Sequence, residues 1–105
     1  MKLHLTTALL FAAVSMLVVS TAQSAENLCY IEAAENPIYV RVYNANDYGE
    51  KTDEIWSGWL EPYRRVPVQS RHGNIIYDYK TAPESLFHGS FRRICDEDNT
   101  IQVIP

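Results

Sequence analysis

From Ile38 onward the chain alternates strictly: Ile38, Val40 and Val42 interleave with Tyr39, Arg41 and Tyr43. A two-residue period sends successive side chains to opposite faces, so this stretch predicts a strand with an aliphatic inner face and an aromatic, charged outer one. Pro37 suits its opening position, where no ladder hydrogen bond has to be donated. Residues 44–51, Asn44-Ala45-Asn46-Asp47-Tyr48-Gly49-Glu50-Lys51, break the alternation with turn formers and read as an exposed loop. Further strands are expected at residues 28–33, 54–60, 64–70, 74–80, 90–95 and 100–104. Turn formers separate them at Glu61-Pro62, Arg71-His72-Gly73, Ala82-Pro83 and Asp96-Glu97-Asp98-Asn99. Pro67 makes its run an edge or bulged strand, because it has no N–H to donate. The one helical signature is a single turn over residues 83–87, with Thr81 as its cap. About seven short strands without repeats or linkers predict one all-β domain, a small antiparallel sandwich or barrel.

The first 25 residues follow another pattern. Lys2 supplies a positive start, and residues 5–19 are apolar except for Thr6, Thr7 and Ser15. Small residues then follow at Ser20-Thr21-Ala22 and Ala22-Gln23-Ser24, the pattern a signal peptidase reads. The run is shorter than the roughly 20 residues of a membrane span. It therefore predicts a signal peptide over residues 1–25 and a single β domain over residues 26–105, with no membrane span after cleavage. Cys29 follows Glu26-Asn27-Leu28 instead of a small-residue lipidation box, so no lipid anchor is expected. The Ala-rich, single-lysine leader is of bacterial type, which points to the periplasm or the cell exterior.

Composition narrows the function classes. Residues 26–105 suffice for one domain and fall well short of a Rossmann pair or a TIM barrel. They contain all seven Tyr and both Trp, enough for a packed core. The full chain carries a net charge of −4, and loss of Lys2 makes it more acidic, so nucleic acid is not an expected partner. Cys29 and Cys95 are the only two cysteines, and an oxidising compartment favours pairing them. Closing so long a loop removes about 4 kcal/mol of unfolded-state entropy. A redox-active pair would need Cys-x-x-Cys spacing, which is missing.

Ile55-Trp56-Ser57-Gly58-Trp59-Leu60-Glu61-Pro62 is the most distinctive segment. On a strand its two indoles face opposite ways, one toward the core and one outward. The outward indole, with Tyr43, Tyr63, Tyr77 or Tyr79, would form an aromatic contact surface. Arg64-Arg65, Arg92-Arg93 and Arg71 allow a bidentate anion site, although adjacent strand residues face apart and solvated pairing with acids is the plainer outcome. Asp96-Glu97-Asp98-Asn99 lacks the glycine and the distant glutamate of a calcium loop, so it reads as a solvated turn and no metal is expected. His72 and His88 each precede a glycine. Either could be written into a triad with Ser70 or Ser85, but there is no Gly-x-Ser-x-Gly elbow, zinc spacing or cofactor motif. Neither enzymatic activity nor a cofactor is expected.

The order of Leu28-Cys29, Trp56 to Pro62, Ile76-Tyr77-Asp78-Tyr79 and Cys95 is similar to a bacterial family of small exported proteins classed as a domain of unknown function. That family has an early Cys, a Gly-Trp segment running into Pro, a Tyr-rich strand and a late Cys, and the resemblance implies a fold and an address but no activity. The segment Ser70-Arg71-His72-Gly73-Asn74-Ile75-Ile76-Tyr77, with Phe87-His88-Gly89 before the last Cys, resembles periplasmic inhibitors of C-type lysozyme. These are small disulfide-closed β-barrels that insert a Ser-to-Tyr loop into the enzyme's acidic cleft. The first expectation is a non-enzymatic exported binding domain for an unidentified protein or cell-envelope ligand, with Trp56, Trp59, Tyr63, Arg71, His72 and Tyr77 as its binding residues. The second is an inhibitor of a lysozyme-like hydrolase acting through the Ser70 to Tyr77 turn, where Arg71 and His72 would address two carboxylates.

Overall fold

A computed structural model describes residues 26–105; the expected signal peptide lies outside the described residues. Seven strands follow one another: β1 (Leu28–Ala33), β2 (Ile38–Ala45), β3 (Lys51–Leu60), β4 (Arg65–Gln69), β5 (Asn74–Lys80), β6 (His88–Ile94) and β7 (Asn99–Val103). They form a three-stranded sheet in the order β4-β1-β7 and a four-stranded sheet in the order β3-β2-β5-β6. All pairings are antiparallel except β1 with β7, which run parallel. The alternation in β2 works as its sequence dictates, with Ile38, Val40 and Val42 fully buried and Tyr39, Arg41 and Tyr43 on the other face. Cys29, Ile31, Val68, Ile101 and Val103 of the smaller sheet meet the β2 aliphatics, Leu60 and Ile75 of the larger one, and this is the core of a sandwich. Pro67 lies on β4, an edge strand, where its missing donor costs no ladder hydrogen bond.

Two local expectations are corrected. β2 continues through Asn44 and Ala45, so the loop shrinks to residues 46–50. Asn44 is only 3% exposed, yet its amide is satisfied by Asp53 and by the Arg71 N–H, which makes a polar side chain tolerable there. The shortened loop is built on Asn46, whose Oδ1 accepts the N–H groups of Tyr48 and Glu50, with Gly49 supplying a φ of 79°. Residues 83–87 form no helix. The Ser85 hydroxyl donates to the Ala82 carbonyl and accepts the Ala82 N–H, closing a turn that competes with helical hydrogen bonding.

Cys29 and Cys95 form a disulfide with Cα atoms 5.0 Å apart, and neither residue is exposed. The bridge joins β1, central in the smaller sheet, to the residue that directly follows β6, the edge strand of the larger one. Backbone bonds hold its surroundings: Cys95 N–H donates to the Gly73 carbonyl at 2.8 Å, and Asn27 N–H donates to Asp96 Oδ1 at 2.8 Å. The covalent loop spans 66 residues, so reduction is expected to lower unfolding stability by about 4 kcal/mol. Denaturant melts of the oxidised protein and of Cys29→Ser/Cys95→Ser measure this difference, and the oxidised mass should lie two hydrogens below the reduced one.

Candidate functional site

The binding residues expected from sequence do not converge. Trp56 packs against the core, its ring lying over Gly58, where an added Cβ would come within 3.1 Å of it. Tyr77 is also interior, 5.2 Å from Phe91 between ring centroids, and burial pushes its phenol above the ordinary tyrosine value. Tyr63 is exposed beside a hollow of about 200 Å³ that it shares with Ala34, Asn36 and Ile104. Arg71 and His72 are exposed on the β4–β5 turn. Trp59 remains, 44% exposed on the outer face of the four-stranded sheet.

Around Trp59 the register assembles residues that are far apart in sequence. Tyr39 of β2 is its cross-strand partner, and the rings meet edge to face at 5.5 Å. On the other side of Tyr39, Phe87 approaches from the 81–87 turn to 6.0 Å. Two cations cover Phe87: the Arg41 guanidinium carbon lies 4.3 Å from the ring centre and the Lys80 Nζ 5.0 Å from it. Lys80 also lies 5.5 Å from Tyr39 and donates to the Pro83 carbonyl at 2.9 Å, which ties the turn to the sheet. One register step along β2, Arg41 lies between Ser57 and Asp78. Asp78 is already engaged: Lys51 Nζ donates to one carboxylate oxygen at 2.5 Å and the Ser90 hydroxyl to the other at 2.7 Å. Lys51 in turn lies over Tyr43 at 4.7 Å. The face is thus a row of rings with cations laid across them, a surface suited to holding an aromatic-stacking or anionic ligand.

Tyr39, Arg41, Lys80 and Phe87 were not among the residues expected to bind. For Tyr39 and Arg41 the signal was present, because the β2 alternation places both on the outer face. Phe87 carried none, since it reaches the sheet from an irregular turn.

The β4–β5 turn is a second, separate cluster. Ser70 Oγ accepts the Gly73 N–H at 2.8 Å, and Gly73 holds a φ of 85° that closes the turn. Arg71 donates from both terminal nitrogens to Asp53, at 3.1 and 3.2 Å. Asn44 Nδ2 also reaches both Asp53 oxygens at 3.2 Å. These bonds, Asn44's first, with Thr52 and Arg71 adding to it, hold the Asp53 carboxyl below the ordinary carboxylate value against a smaller opposing desolvation. Among the described residues, no three His, Cys, Asp or Glu side chains converge to hold a metal ion. Comparison of the chain with protein-family models, with curated proteins and with solved structures finds no match.

Two outcomes are expected from these placements. Trp56→Ala should cost about 2–4 kcal/mol in a thermal or denaturant melt, whereas Trp59→Ala should cost under about 1 kcal/mol, because only the first vacates core packing. A depressed folded-state value means that the Asp53 contribution is present above the ordinary carboxylate value and is lost as pH falls through the folded one. Acidification through that folded value, below the ordinary carboxylate one, should therefore release the Arg71 side chain from Asp53. NMR titration of Asp53 should show its midpoint moving up in Asn44→Ala.

Proposed function

We propose that this protein is an exported, non-enzymatic binding domain that engages its ligand with the outer face of the four-stranded sheet around Trp59. The observation that carries this reading is the exposure of Trp59 beside Tyr39 and Phe87, in a cluster to which the core owes little. An indole left at the surface and braced by neighbouring rings gives large contact area at small entropic cost, which is how binding surfaces use Trp. Export is supported by the buried Cys29–Cys95 bridge, a feature of oxidising compartments, together with the leader-like first 25 residues, and places the protein in the periplasm or outside the cell.

The serines that a hydrolytic triad would need are engaged in turns, Ser70 with the Gly73 N–H and Ser85 with Ala82. His88 lies flat against Tyr79 at 5.1 Å. These engagements support binding over catalysis. The Ser70 to Tyr77 turn offers less as an inhibitory loop, because Ser70 and Tyr77 are buried and the Arg71 charge is taken by Asp53.

Retention on isolated bacterial cell envelopes tests the proposal. Trp59→Ala should lose tenfold or more in apparent affinity, about 1.4 kcal/mol, with an unchanged melt, while Tyr63→Ala and Arg71→Ala bind as the parent does. Equal retention of Trp59→Ala would remove the face from consideration. Lysozyme inhibition that is abolished by Arg71→Ala would move the function to the turn.

A further inference from the structure

We infer that the Trp59 face takes a carboxylate-bearing saccharide, with the sugar ring laid on Trp59 beside Tyr39 and the carboxylate received by Arg41; this rests on the proposal that the face is a ligand site. The starting point is an imbalance of charge. The chain is acidic, with 13 Asp and Glu against 9 Lys and Arg, yet among the described residues only Lys51 with Asp78 and Arg71 with Asp53 form ion pairs. Arg41 is half-buried at the middle of the face and has neither a carboxylate nor a hydrogen-bond acceptor among the described residues. Its natural partner is Asp78, directly opposite in register on β5, but Lys51 and Ser90 occupy both Asp78 oxygens. Lys80 brings a second positive charge to the same ring of Phe87. An anion placed between the two cations relieves their repulsion.

A guanidinium held over a ring at 4.3 Å has fewer rotamers open to it, so its N–H fork is presented with less entropy left to lose. That fork matches a carboxylate through two parallel hydrogen bonds. The other outer face of the sandwich supplies the contrast. Arg65 lies over Tyr30 at 4.5 Å in the same manner, but its Nη1 donates to the Thr100 hydroxyl at 3.1 Å and no exposed indole accompanies it. A cation over an aromatic ring is thus common to both sheets, whereas among the described residues such a cation with free donors beside an exposed indole is found only at Arg41.

The rest of the face favours a saccharide over a bare anion or a protein. Trp59 offers ring surface that an inorganic anion has no use for, and Ser57, opposite Arg41 on β3, puts a hydroxyl in the same row. A protein interface of ordinary size needs roughly 800 Å² per partner with an apolar centre. Here the neighbouring aromatics Tyr39 and Phe87 are half-covered, and Tyr39 stands at 67° to Trp59 and 59° to Phe87, so the indole offers one ring face with the phenol as a wall beside it, an area suited to one sugar residue.

Calorimetry and tryptophan fluorescence of the purified, disulfide-closed protein decide the matter with four probes: trigalacturonate, sialyllactose, the neutral maltotriose and a hexaglutamate peptide. The first two separate uronic from sialic acid as the source of the carboxylate. Binding of either acidic sugar, with a fluorescence change, loss of affinity as salt rises and no comparable binding of maltotriose, is the expected result. Arg41→Gln and Trp59→Ala should each weaken it tenfold or more, and Arg65→Gln should leave it unchanged. Arg41→Lys keeps the charge but loses the fork, so it should fall between the parent and Arg41→Gln, and it serves if the glutamine variant folds poorly. Equal binding of maltotriose, tighter binding of hexaglutamate than of either sugar, or no binding of any probe overturns the inference. If envelope retention still depends on Trp59 in that event, the face remains a binding site and only the ligand class is wrong.

Discussion

Two thin sheets have little core to share, and the bond that keeps them registered is the buried link between Cys29 and Cys95. It joins the central strand of one sheet to the edge of the other, so it sets both the spacing of the layers and which ends of the strands coincide. A domain of this size buries only around two-thirds of its unfolded surface, and its net stability is a small difference between large terms. Against that background a covalent loop closure is comparable with the whole margin. The packing of Ile31, Val40, Val42 and Ile75 fills the interior that the bridge encloses.

With the interior assigned to aliphatics, the aromatic residues of β2 and the end of β3 are displaced outward. Exposed rings on a sheet invite unspecific association, and this face answers with cations laid over them: Arg41 and Lys80 on Phe87, Lys51 on Tyr43. The long apolar stems of those residues cover ring surface while their charged ends stay in water. Trp59 is less covered than its neighbours, and Arg41 is the cation whose donors are left free. The same arrangement therefore leaves one place on the face where an exposed indole and unpaired guanidinium donors lie in adjacent rows.

The parts of the fold that follow from a two-residue period are legible in the chain. Ile38 to Tyr43 and the strand Asn74–Lys80 need only their own alternation to be read, and Pro67 announces an edge. What escapes is set by partners distant in sequence. Asn44 looks like a loop residue until Asp53 and Arg71 satisfy it inside the fold. Alternation across Trp56 and Trp59 correctly separates the indoles, yet it does not reveal the shift in register between Val42 and Tyr43, where Ile55 is the extra residue and both Ile55 and Trp56 pack inward. The candidate site was half visible for the same reason. Tyr39, Arg41 and Trp59 lie on strands whose outer faces can be counted, whereas Phe87 arrives on a turn whose path no local pattern encodes.

The parallel pairing of β1 with β7 bears on how the molecule is made. The first strand lies at the centre of its sheet, flanked by β4 and by the last strand in the chain. A chain that emerges from its N-terminus delivers β1 earliest, and its second neighbour arrives only when residues 99–103 have emerged. Until then one edge of β1, together with Ile31, has no cover, and Cys29 waits for Cys95. By contrast β2 and β3 are neighbours in sequence and need no such delay. The larger sheet is therefore able to assemble from strands that are close in sequence, while the smaller one must close through contacts spanning nearly the whole domain, the arrangement that slows folding most for a given size. During that interval β1 presents an unpaired edge, and the topology, which sets its two neighbours so far apart in sequence, is what prolongs it.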